Sequence, residues 1–88
     1  MIVEIELDGG HKAEIHSLER NVLTFWSSRA FPPGAPVRFG VLIGEHRRVF
    51  EGRSIGARRV EGDRFEVRMR FVNLRRGDRE GLLAAIES

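Results

Sequence analysis

From Arg64 to Phe71 the chain alternates without a break, with Phe65, Val67, Met69 and Phe71 in one phase and Arg64, Glu66, Arg68 and Arg70 in the other. Successive strand side chains point to opposite faces, so this stretch predicts a strand with one dry and one wet side. Such strands belong to antiparallel sheets and small barrels, not to parallel sheets buried on both faces. The same period recurs upstream. Val3, Ile5 and Leu7 alternate with Glu4 and Glu6, and Asp8-Gly9-Gly10 reads as a tight turn. Ala13 and Ile15 continue as a second strand with Lys12, Glu14 and His16 opposite, and Ser17 to Arg20 reads as a connection with Asn21 in a left-handed position.

Val22 to Trp26 predicts a third strand, and the Ser- and Pro-rich stretch Ser27 to Pro36 a loop. Val37, Phe39, Val41 and Ile43 mark a fourth strand, ended by a Gly44-Glu45-His46 turn. A long fifth strand follows from Arg47 to Arg59, with Gly52 and Gly56 signalling a bulge or bend. Glu61-Gly62-Asp63 turns into the sixth strand. The period then becomes helical: Asp78 is the expected cap, Leu82, Leu83 and Ile86 share one face, and Gly81 falls in the first turn. The expectation is a mostly β chain: a six-stranded antiparallel barrel, closed to hide its edges, with one short C-terminal helix.

Eighty-eight residues imply a single domain spanning 1–88. The chain contains no Cys, which excludes disulfides, thiolate chemistry and Cys-ligated zinc, and favours a cytoplasmic setting for a domain this small. The start MIVEIELDGG has neither a basic leader nor a long apolar run, so no signal peptide and no membrane insertion are expected. All the basic side chains but Lys12 are arginines, a bias that a GC-rich genome produces by itself and that would also suit anion or phosphate recognition. The net charge is only +2, which argues against a dedicated nucleic-acid binder.

Three stretches, in this order, resemble the PilZ domain family. Ala30-Phe31-Pro32-Pro33-Gly34-Ala35-Pro36-Val37 is similar to the Pro-Gly loop after its third strand. Phe50-Glu51-Gly52-Arg53 and Arg64-Phe65-Glu66-Val67 are similar to its fifth and sixth strands. Arg70-Phe71-Val72-Asn73-Leu74, with Arg79 and Leu82, is similar to its exit into the helix. The resemblance implies the barrel fold and a role in bacterial signalling or motility. It also brings an expected ligand, cyclic di-GMP, held by an Arg-x-x-x-Arg segment before the first strand and by Asp/Asn-x-Ser-x-x-Gly between the second and third.

Neither motif is present. No arginine precedes Arg20. Placing Asn21 on the glycine of the second motif puts His16 on the acid and Leu18 on the serine. Arg64-x-x-x-Arg68 and Arg75-x-x-x-Arg79 match the first motif by spacing only. The chain therefore resembles those PilZ-like domains that lack the nucleotide motifs and bind other proteins. The reading is a non-catalytic interaction module that does not take cyclic di-GMP and docks a protein partner or adjoining domain. Its candidate partner-binding residues are the exposed members of Phe25-Trp26, with Arg47 and Arg48. Phe25 and Trp26 face opposite ways; the simpler alternative covers one with the core and the other with the helix.

A second reading is a divergent cyclic di-GMP receptor using Ser17, Arg20 and Asn21. A third is a small RNA-binding barrel. No cofactor, metal or catalytic residue is expected. His11, His16 and His46 lack ligand spacing. Ser17, Ser27, Ser28 and Ser54 lack a His-acid partnership. Glu4, Glu6 and Glu66 read as solvent-facing residues pairing with arginines across strands. Arg47-Arg48, Arg58-Arg59 and Arg75-Arg76 make either a clustered basic face or, as the interleaved acids favour, a dispersed one.

Overall fold

The computed structural model describes residues 3–87. Six strands form a closed antiparallel barrel in the order β1-β2-β3-β6-β5-β4: β1 Val3–Leu7, β2 Lys12–Glu19, β3 Val22–Ser27, β4 Pro36–Ile43, β5 His46–Glu61 and β6 Arg64–Phe71. The helix α1, Arg76–Glu87, follows. The expected barrel and terminal helix are both present. Among the described residues no helix is long and apolar enough to cross a membrane.

Alternation places one phase of every strand in the core. Ile5, Leu23, Phe25, Val37, Phe39, Val67 and Met69 are all buried there. Phe39, Phe50 and Phe71 meet as a cluster, with ring centroids 5.4, 5.8 and 6.2 Å apart. Aromatic pairs of this kind contribute about 0.5–1.5 kcal/mol each beyond their burial. Gly52 is needed where β5 meets β6, because a Cβ there would stand 2.7 Å from Met69 Cε and collide with the Arg70 backbone.

Three bulges set the departures from simple alternation. β2 pairs Ile15 with Phe25 but Ser17 with Thr24, so His16 is an extra residue. That one-residue shift turns Leu18, not Ser17, toward the core. The expected connection at Ser17–Arg20 is accordingly corrected: β2 runs on to Glu19. In β5 the shifts lie between Ser54 and Gly56 and between Arg59 and Glu61, leaving Ile55 and Val60 as exposed extra residues. With these absorbed, β5 extends beyond Arg59 to Glu61 and begins at His46, which pairs with Ile43.

Two further expectations are corrected at turns and at the helix. Arg20, not Asn21, takes the positive φ, at 56°. The helix begins at Arg76, so Asp78 lies in its first turn instead of capping it, and Gly81 sits mid-helix against Ile43. Asp78 still suits that turn, since carboxylates favour helix N-termini, and it also meets Arg48 at 3.2 Å. Leu82 is fully buried, and Leu83 and Ile86 pack on the core, so α1 lies against β2 and β4 at one end of the barrel.

Candidate binding groove on the outer barrel face

The wet faces of β2, β3, β6 and β5 form one continuous outer surface. Cross-strand register arranges it in rows. Glu19, Val22, Arg70 and Arg53 make one row; Ser17, Thr24, Arg68 and Gly56 the next; Glu14, Trp26, Glu66 and Arg58 a third. A depression of ≈ 840 Å³ runs along it, its lining including Ser17, Arg20, Asn21, Thr24, Arg68 and Arg70. Glu19 and Glu66 also border it, but Glu66 already accepts from Arg58 at 3.3 Å.

The arginines divide by partner. Arg47, Arg48, Arg58, Arg59, Arg64 and Arg76 each meet a carboxylate within 3.9 Å. Among the described residues the other eight have no ion pair, and three of these, Arg20, Arg68 and Arg70, are exposed together on the groove. Arg70 is also directly opposite Arg53, whose guanidinium donates to Gly34 O at 3.0 Å. Like charges facing directly across a sheet destabilise it. The expected dispersal therefore holds for the paired arginines and fails at this groove.

Backbone strain falls at the same place. The three two-residue hairpin turns are Arg20-Asn21, Gly44-Glu45 and Gly62-Asp63. In each the first turn residue has positive φ: 56° at Arg20, 65° at Gly44 and 53° at Gly62. Hairpin turns of this form call for glycine there. Arg20 takes the same conformation at a cost of about 1–2 kcal/mol. Its carbonyl accepts from Arg79 Nε at 3.0 Å, and Asn21 O accepts from Phe71 N at 3.0 Å. The strained turn is thus held from outside, by α1 and the end of β6.

Ser17, Arg20 and Asn21 line the same depression. The proposed partner-binding residues separate. Phe25 is fully buried, so it is corrected from surface anchor to core residue. Trp26 stays half-exposed on the outer face, covered not by α1 but by the His16 ring, 4.9 Å away, and the Arg64 guanidinium at 5.4 Å. Arg47 lies elsewhere, folded over Gly40 to reach Glu6 at 3.3 Å. It lines a second depression, of ≈ 530 Å³, along β1 and β4, where Lys12 also pairs with Glu4 at 3.2 Å. Arg48 ties β5 to α1.

Two of the serines make structural hydrogen bonds. Ser54 Oγ donates to Phe31 O at 2.7 Å, and Ser27 Oγ accepts from Arg29 N at 2.9 Å. His11 and His46 are exposed beside hairpin turns, and among the described residues no group of His, Asp or Glu is placed to hold a metal ion. Sequence reading missed Arg53, Arg68, Arg70 and Thr24 as neighbours of the β2–β3 turn. The spacing Arg64-x-x-x-Arg68 was visible, but only the β3–β6 pairing puts Arg68 beside Thr24 and Arg64 beside Trp26. No family model matches the chain, and no curated protein is significantly similar to it.

Proposed function

We propose that this chain is a non-catalytic, PilZ-like interaction module of the bacterial cytoplasm, acting in signalling or motility, and that it docks an acidic segment of a partner protein or adjoining domain in the β2–β3–β6 groove. The observation that carries the reading is the set Arg20, Arg68 and Arg70, exposed on one groove without ion-pair partners among the described residues, with Arg53 opposite Arg70. A guanidinium cluster without ion pairs favours an external anion, and Arg binds carboxylates in bidentate fashion. Trp26, flanked by His16 and Arg64 on the same face, supplies an aromatic edge to such a contact.

A second reading has one specific observation behind it: Ser17, Arg20 and Asn21 line the groove together with Arg68 and Arg70, a set that suits the two phosphates of cyclic di-GMP. Titration decides between them. A fluorescent decaglutamate peptide should bind saturably, more weakly as salt rises. Reversing both groove charges, Arg68→Glu with Arg70→Glu, should weaken it by about 30-fold or more, in line with loss of two charge-assisted contacts. Micromolar binding of cyclic di-GMP with no response to decaglutamate would replace the first reading by the second. Binding to neither would overturn both.

A further inference from the structure

We infer that α1 is a latch on the groove: docking of the helix holds the Arg20-Asn21 turn in the shape that binds, and an occupant of the groove in turn tightens the helix on the barrel. This deepens the binding reading above and rests on it for the nature of the occupant.

The turn is closed by the Glu19–Val22 pair but carries a residue in a disfavoured conformation. Arg20 occupies a position where the two comparable hairpins carry Gly44 and Gly62, and its φ of 56° is one its Cβ disfavours. Two hydrogen bonds from elsewhere fix it, Arg79 Nε to Arg20 O and Phe71 N to Asn21 O, each 3.0 Å. One donor is on α1. The other ends β6, the strand that carries Arg68 and Arg70. The acceptors belong to the residues whose side chains line the groove. Arg79 itself does not line it.

The inferred latch requires the helix to shift as a unit relative to this turn. Besides the Arg79 bond, it is tied by the Arg48–Asp78 pair at 3.2 Å, by Leu82 in the core and by Leu83 and Ile86 packed against it. It joins β6 through a short link in which Asn73 has a φ of 56°. With α1 docked, Arg79 selects the left-handed Arg20 and aims its side chain along the groove with Arg68 and Arg70. With α1 released, the turn loses that restraint and relaxes from a conformation only glycine favours. An anion bound across Arg20, Arg68 and Arg70 therefore prefers the docked state, and by linkage it stabilises docking to the same degree.

Two measurements on the full chain test this. The first needs no occupant. In Arg79→Ala, hydrogen exchange should accelerate at the Phe71 amide and across the Arg20-Asn21 turn, while Arg79→Lys restores part of the protection. Unchanged exchange at Phe71 in Arg79→Ala would overturn the latch. The second uses decaglutamate as the probe. Arg79→Ala should weaken its binding at least about five-fold, the lower end of ordinary coupling between sites. Saturating decaglutamate should slow exchange of the α1 amides in the wild-type chain. Binding that ignores Arg79, or that leaves α1 exchange unchanged, would also overturn the latch. Failure of decaglutamate to bind the wild type would remove the binding reading and leave the first measurement to decide the coupling.

Discussion

The two long faces of this barrel carry similar residues and behave differently. On the β1–β4 face two pairs close, Lys12 with Glu4 and Arg47 with Glu6 across Gly40. On the β2–β3–β6 face Arg20, Arg68 and Arg70 have no such partners among the described residues, Arg70 is opposed to Arg53, and a turn residue is strained. The first arrangement is what a solvated surface reaches when nothing else is asked of it. The second retains repulsion and strain that simple substitutions would relieve, and such retained costs concentrate where a surface binds. Arginine content alone does not separate the faces; the register of acids against bases does.

The largest expected effect removes what the faces share. Phe50→Ala would open the Phe39–Phe50–Phe71 cluster beneath both and destabilise the chain by about 3–5 kcal/mol. Chemical denaturation would read this, and the contrast between the faces would vanish with the fold. A smaller and opposite effect isolates the strained turn. Arg20→Gly keeps the carbonyl bonded to Arg79 but removes the disfavoured Cβ, so it should raise stability by roughly 1 kcal/mol, about 4–8 °C in Tm. It should also weaken decaglutamate binding several-fold; a variant both less stable and equally tight would erase the difference between the faces. The smallest effect belongs to the compensated face. Arg47→Ala breaks an exposed ion pair and should shift stability by less than about 1 kcal/mol, with groove binding unchanged.

Much of the fold was legible because each strand announces its own phase. Arg64–Phe71 and Val3–Leu7 alternate cleanly and were placed correctly from residues alone. Reading failed where a bulge resets the phase: His16 hides the continuation of β2, and Ile55 with Val60 hides the length of β5. It failed at Arg20 because local preference puts Asn or Gly at positive φ, whereas here Arg79, 59 residues away, holds the turn. The groove was half visible. Ser17, Arg20 and Asn21 are near in sequence, but Arg68 and Arg70 join them only through β3–β6 pairing.

The amino-acid pattern by itself determined the dry and wet faces of most strands, the glycine turns and the apolar face of the terminal helix, because these depend on neighbours two to four residues away. Tertiary structure decided which arginines found carboxylates and which did not, that Phe25 is core while Trp26 meets Arg64, and that α1 grips the β2–β3 turn. Those outcomes depend on which strands lie side by side, and alternation along a single strand carries no record of its neighbour.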